Sequence, residues 1–202
     1  MIFSKDPHKR AKSIFNIIAP VYSALDGYVK KGFRKAMNNI MEEIDLSGKS
    51  VLDIGSGPGA WAVLFKENGA EKVHGIDFAK KMVKRASKKY SPEITFSVAD
   101  AENLAEFSDD SFDIVTASFM LHGVTQDVRE TILKEMKRIS KKHVIINDYY
   151  GDTPAVARFL EYMEKSDYQH FKKNFCNELN SMFPQVKKVK ASFGTSVYFA
   201  SK

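Results

Sequence analysis

The sequence is nearly free of cysteine: Cys176 stands alone among 202 residues. No disulfide can form within the chain, so the cysteine-paired frameworks of small secreted domains are excluded. Zinc-site spacing is missing as well, because His8, His74, His122, His143 and His170 are scattered and no second cysteine joins them. Long hydrophobic runs are also absent. The longest mainly apolar stretch, Ile114 to Leu121, has the length of a strand and is interrupted by Thr116 and Ser118. A membrane helix needs roughly 18 to 20 apolar residues. The first residues, Met1 to Arg10, hold no apolar signal-peptide segment. The expectation is a cytoplasmic protein with no membrane span. Low-complexity tracts and internal repeats are lacking, while 15 Phe, 8 Tyr and 8 Met supply an ample core, which excludes a disordered chain.

The charge is unbalanced: 31 Lys and Arg against 25 Asp and Glu give a net charge of +6. Such a surplus bears on solubility and encounter and says nothing about fold. Much of it lies on helix faces. Lys80, Lys81, Lys84, Arg85, Lys88 and Lys89 stand opposite an apolar face of Ala79, Met82, Val83, Ala86 and Tyr90. No aromatic residues interleave with those lysines to stack bases. A solvated helix face is favoured over a nucleic-acid partner.

Periodicity then orders the chain. Val29, Phe33, Ala36, Ile40 and Ile44 predict a helix over Gly27 to Ile44. Strands are predicted at Ser50–Ile54, Lys72–Asp77, Ile94–Val98, Phe112–Ser118 and His143–Asn147, with helices between them at about Pro58–Asn68, Ala79–Tyr90 and Val128–Ile139. Further helices are predicted at Pro154–Glu164 and Asp167–Phe183. A closing hairpin follows, Val186–Ala191 and Ser196–Ala200, turning at Phe193-Gly194. Strands alternating with helices imply right-handed crossovers and a parallel sheet. The expected fold is α/β: a Rossmann-like, doubly wound, seven-stranded sheet, mostly parallel, with an antiparallel C-terminal hairpin strand and helices on both faces. One domain over residues 1–202 is expected, with an N-terminal helical lid segment (1–46), a cofactor-binding core (47–148), and substrate-side helices with the hairpin (149–202).

The most informative stretch is Val51-Leu52-Asp53-Ile54-Gly55-Ser56-Gly57-Pro58-Gly59-Ala60. A strand feeds a glycine-rich turn that opens toward a helix, where backbone N–H groups can meet a ligand. Asp77, 22 residues after Gly55, ends the next strand, and Asp100 follows 23 residues later. Three successive strand ends thus carry acids, and in open α/β sheets ligands bind outside those ends. A carboxylate at Asp77 can accept both hydroxyls of a ribose. Asp53 would repel a pyrophosphate but suits a ligand bearing a cation. The chain also has no second mononucleotide-binding half. A positively charged adenosyl ligand answers both points better than a nicotinamide dinucleotide.

On these residues the sequence resembles the class I S-adenosylmethionine-dependent methyltransferases. Val51 to Gly59 resembles their first motif. Gly75-Ile76-Asp77-Phe78-Ala79-Lys80-Lys81-Met82 resembles the second, Val98 to Leu104 the adenine segment, and Ser111 to His122 the fourth strand with its exit loop. The subgroup it resembles is the small-molecule type that includes the ubiquinone and menaquinone biosynthesis enzymes. Phe15 to Tyr22 is similar to that subgroup's covering segment, with Ser23 where an acid is usual.

The resemblance implies S-adenosylmethionine as cofactor, S-adenosylhomocysteine as product, and in-line displacement onto a small-molecule acceptor. It implies that Gly55, Ser56 and Gly57 approach the methionine part and that Asp53 orders the loop or receives the ammonium group. Asp77 would bind the ribose hydroxyls, Phe78 would pack near the adenine, Asp100 and Ala101 would bind the adenine, and Met82 would belong to the same cofactor site. Ser118 and Phe119 would line the methyl end, and Tyr22 would cover the site. His122, just beyond the fourth strand, is the candidate general base, with Asp148 and Tyr149 next. No metal is expected. Cys176, in a helical pattern beside Phe175, reads as a packing residue, and Trp61 as core. The alternatives are an RNA or protein methyltransferase, an NAD-dependent oxidoreductase, and a non-catalytic nucleotide-binding module.

Overall fold

The computed structural model describes residues 26–151, 167–192 and 194–202. In chain order they form α1 (Asp26–Glu43), β1 (Ser50–Ile54), α2 (Ala62–Glu67), β2 (Lys72–Asp77), α3 (Lys80–Tyr90), β3 (Thr95–Val98), β4 (Phe112–Ser118), a single 3-10 turn (Leu121–Gly123), α4 (Gln126–Ile139), β5 (Ser140–Tyr149), α5 (Tyr168–Met182), β6 (Gln185–Ser192) and β7 (Thr195–Ser201). The strands make one seven-stranded sheet in the order β3-β2-β1-β4-β5-β7-β6. β1 to β5 pair in parallel, and β7 runs antiparallel to both β5 and β6. The expected architecture is the one found.

Neighbouring strand residues go to opposite faces, as the pleat requires. Leu52, Val115, Val144, Ile146 and Tyr198 pack under α4 and α5 with Leu133, Met136, Phe171, Phe175 and Leu179. Val51, Ile114, Ile145, Val197 and Phe199 pack on the other face with Met37, Ile40, Trp61, Leu64 and Phe65 from α1 and α2. Each such side chain stabilises the fold by roughly 1.5–3 kcal/mol. That two-sided burial explains why the middle strands read as mainly apolar runs without strict alternation. Trp61 is core, as expected, but it also donates its indole N–H to Thr116 Oγ1 at 3.0 Å, and Thr116 donates to the Ile145 carbonyl at 2.8 Å. Cys176 is a free, half-buried thiol packed against the α5 core.

Most element ends fall within two residues of the sequence expectation. The helix expected from Pro58 begins only at Ala62, because Gly55, Gly57 and Gly59 hold φ at +72°, +52° and +87° and keep the chain in turns. β3 starts at Thr95, since the Ile94 N–H still bonds the Tyr90 carbonyl at the end of α3. β5 extends to Ser140 and Tyr149 because β4 and β7 pair with it on either side. The helix expected over Pro154 to Glu164 lies outside the described residues.

Two polar networks lock the layers. Arg129 of α4 is wholly buried. It donates to Glu178 Oε2 at 2.6 Å, to Asp167 Oδ2 at 3.1 Å, and to the Leu121 and Val124 carbonyls at 3.1 and 2.7 Å. One guanidinium thereby ties α4, α5 and the 3-10 turn together.

At the other end of the sheet Asp113 accepts from Ser50 N–H (2.8 Å), Ser50 Oγ–H (2.6 Å) and Lys141 Nζ (3.1 Å). Burial alone would raise its pKa, but the bonds from Ser50 and the Lys141 charge outweigh it and hold the carboxyl down at about 2. A depressed folded-state pKa contributes stability above the ordinary carboxylate value and loses it as pH falls toward the folded one. The thermal-midpoint advantage of the wild type over Asp113→Asn is therefore expected to hold at neutral pH and to shrink below about pH 4. A gap that stays constant on acidification would contradict this.

Candidate active site

The chain order reverses between β1 and β4, and the crevice at such a switch point is where open α/β sheets bind ligands. The loop after β1 sits there. Gly55 adopts φ +72°, and a Cβ on it would lie 2.9 Å from Met120 Cγ, so this position needs glycine twice over. At Gly57, with φ +52°, a Cβ would meet no atom within 4 Å, which leaves open space beside the loop. Asp77, at the end of β2, clips the loop in place. Its Oδ2 accepts from Gly57 N–H at 2.9 Å and its Oδ1 from Ala79 N–H at 2.7 Å. Burial raises the Asp77 pKa, while the Ala79 and Gly57 amides oppose the rise.

Asp53 is 0% exposed, and neither of its oxygens has a hydrogen-bond partner at bonding distance and angle. Burial lifts its pKa well above the carboxylate range, and the Asp77 charge lifts it further; the Ala62 amide at the start of α2 pulls the other way. An orphaned buried carboxylate next to a second one is costly unless a cation or donor meets it. The Ser56 hydroxyl is likewise buried and unpartnered. These groups fit a ligand that brings a positive charge and donors to the loop, and they disfavour a pyrophosphate. The donor set here is the loop backbone and two acids. α2 begins only at Ala62, and its Val63 N–H bonds back to the Gly59 carbonyl of the glycine turn at 3.1 Å.

β4 and β5 bring the other half of the site together. Ser118 accepts from Asn147 Nδ2 at 3.0 Å. Phe119 follows with φ +48°, a left-handed backbone that is a true outlier for a bulky residue. It is held by its N–H bond to the Asn147 carbonyl (2.9 Å) and by its ring, which stacks on Phe33 of α1 (5.8 Å) and meets Tyr149 edge-on (5.1 Å). His122 lies buried on the 3-10 turn, its Nδ1 2.7 Å from Asp148 Oδ1, amid Tyr149, Tyr168 and Phe171.

The remaining predicted residues are placed as follows. Asp100, exposed just past β3, caps its own turn by accepting from Glu102 N–H at 3.1 Å. Ala101 and Phe78 are half-buried. Met82 is buried against Ala79. Tyr22 lies outside the described residues. Among those described, no group of three or more His, Cys, Asp or Glu is arranged to hold a metal, and no helix is long and apolar enough to cross a membrane. Nothing in the sequence points to the Phe33–Phe119 stack or to Met120 over Gly55. The first joins residues 86 apart, and only the folded sheet shows it.

Comparison with known proteins agrees with this geometry. A methyltransferase-domain family model matches residues 51–143. A 2-phytyl-1,4-naphtoquinone methyltransferase of Nostoc punctiforme is 31% identical over 162 residues, covering 74% of this chain and 69% of that protein. An uncharacterized methyltransferase of Bacillus subtilis, YcgJ, is 32% identical over 141 residues, covering 66% of this chain and 54% of that one. Three of the curated relatives are spanned over 54%, 34% and 50% of their lengths, so the chain corresponds to about half or less of each. Among solved structures, a magnesium protoporphyrin IX methyltransferase from Synechocystis with bound SAM shares the fold, with a TM-score of 0.72, 17% identity and 99% coverage of both chains. The chain belongs to the S-adenosylmethionine-dependent methyltransferases.

Proposed function

We propose that this protein transfers a methyl group from S-adenosylmethionine to a small, planar, largely apolar acceptor. The observation that carries the reading is the orphaned buried carboxylate of Asp53 beside Asp77, two residues before the glycine loop. The sulfonium of the cofactor, when bound, supplies a methyl group that is electrophilic without activation. The chain's own residues have to bind, align and exclude water. Asp53 receives the ligand's ammonium, directly or through water, and Gly55, Ser56 and Gly57 pass their backbone along its methionine part. Asp77, whose carboxylate has lone pairs beyond the two already used, accepts the ribose hydroxyls, with Phe78 and Met82 beside it. Asp100 and the Ala101 N–H take the adenine. Ser118 and Phe119 line the methyl end, and His122 removes the acceptor's proton.

A small-molecule acceptor is supported by the naphthoquinone named for the Nostoc relative and by the aromatic rings of Phe33, Phe119 and Tyr149 around the exits of β4 and β5. The exposed lysines of α3 carry charge on an outer helix face. The lone cysteine accords with a cytoplasmic setting.

Isothermal calorimetry with S-adenosylhomocysteine and with NAD separates this reading from the oxidoreductase one. Binding of the first and not the second is expected; binding of NAD alone, or of neither, would overturn it. Incubation of labelled cofactor with fractionated cell extract is expected to mark the small-molecule fraction. Label in RNA or protein would redirect the acceptor.

A further inference from the structure

We infer that Asp148 is a positioning residue for His122: it fixes which ring nitrogen is basic and stabilises the ring when it takes a proton. This rests on the reading of His122 as the proton acceptor. Asp148 ends β5, is wholly buried, and is reached by three donors. Its Oδ1 accepts from Tyr149 N–H at 2.7 Å and contacts His122 Nδ1 at 2.7 Å, and its Oδ2 lies 3.3 Å from the His122 backbone N–H. Two backbone N–H groups aimed at one carboxyl use it as an acceptor. The hydrogen between Asp148 and His122 then belongs to Nδ1, and Nε2 is left as the nitrogen with the lone pair.

The ring cannot easily give up this arrangement. It is packed between Tyr149 at 4.7 Å, Phe171 at 6.2 Å, Tyr168 at 6.3 Å and Phe119 at 6.5 Å, centroid to centroid. The bond to Asp148 and the backbone bond beside it hold both the ring and the 3-10 turn that carries it. Other charges in the surroundings are already matched. Arg129 reaches the same turn from α4 through the Leu121 carbonyl, but its charge is taken up by Glu178 and Asp167 from the α5 side. Among the described residues, Tyr149 and Tyr168 are the other titratable groups whose rings meet the His122 ring. When Nε2 accepts a proton, the imidazolium forms beside a carboxylate at 2.7 Å in a water-poor setting, where opposite charge is worth most. A purely structural Asp148 would need only its two backbone partners. The third contact, to His122 Nδ1, is the one that couples the carboxyl to the tautomer of the ring.

The test is nitrogen-15 NMR of the histidine rings in the full chain, with the His122 signals assigned by their loss in His122→Gln. Wild-type His122 is expected in the Nδ1–H form, with Nε2 titrating. Asp148→Asn keeps the shape and removes the charge, so the His122 midpoint is expected to fall by about one pH unit or more. S-adenosylhomocysteine affinity should be unchanged. An Nε2–H form in the wild type, or a midpoint that does not move, would overturn the inference. The wild-type spectrum decides the tautomer even if the Asp148→Asn variant folds poorly. Failure of the wild type to bind S-adenosylhomocysteine would count against the methyltransferase reading instead, and the tautomer would still decide the role of Asp148.

Discussion

Arg129→Leu is expected to destabilise the protein by about 3–5 kcal/mol, the range for removing one member of a buried ion pair. At this chain length that corresponds to a thermal midpoint lower by roughly 6–20 °C. The reason lies in what is left behind. Glu178 is only 8% exposed, and without the guanidinium its carboxylate stays buried and uncompensated. The Leu121 and Val124 carbonyls lose their donor, and Asp167 at the head of α5 loses its anchor. His170 Nδ1, 3.5 Å from Asp167 and 3.8 Å from Glu178, hydrogen-bonds to neither and does not replace the bonds of the guanidinium. The double variant Arg129→Leu with Glu178→Leu should recover much of the loss, because well-packed apolar residues often do as well as a buried pair. Urea denaturation measures both. A loss under about 1 kcal/mol in the single variant would show that the network contributes no more than a surface pair.

The second large effect is expected at Asp77. Asp77→Ala should weaken S-adenosylhomocysteine binding by about a hundredfold or more, since hydrogen bonds to a charged group are worth roughly 1.5–3 kcal/mol each. The carboxylate holds the Gly57 and Ala79 amides, so the loop that shapes the cofactor site loses its clip, and the proposed ribose contacts go with it. Global stability should suffer less than binding, because the substitution also removes the like charge that presses on Asp53. Calorimetry read beside a thermal melt separates the two. Unchanged affinity in a folded variant would refute the ribose role.

Sequence and structure met most closely where a local rule decides the outcome. Short, mainly apolar runs bounded by turns mark β1, β2 and β4 at their observed ends, and the glycines after Ile54 mark a turn because only left-handed backbone serves there. Asp53 and Asp77 are legible as candidate site residues because strand ends in a parallel sheet collect at one edge. Contacts made across the fold are not legible in this way. Arg129 sits next to Val128 on an amphipathic helix and looks like any polar residue, until Glu178, 49 positions later, folds onto it. The same holds for Asp148, which finds His122 across 26 residues. The late start of α2 was also hidden, since Pro58 fits a first helical turn as well as it fits the loop.

The placement of β7 between β5 and β6 has a consequence for how the molecule is made. β5 is a buried central strand, yet one of its two neighbours is supplied only by residues 195–201. During synthesis the segment from Val144 to Ile146 therefore emerges well before its antiparallel partner, with one row of backbone donors and acceptors unmatched. Unpaired apolar strand edges of that kind invite pairing with other chains. The nascent protein thus passes through an interval of exposure that ends when β7 inserts, and β7 works as the closing element of the sheet although it touches none of the proposed cofactor residues through its pairing.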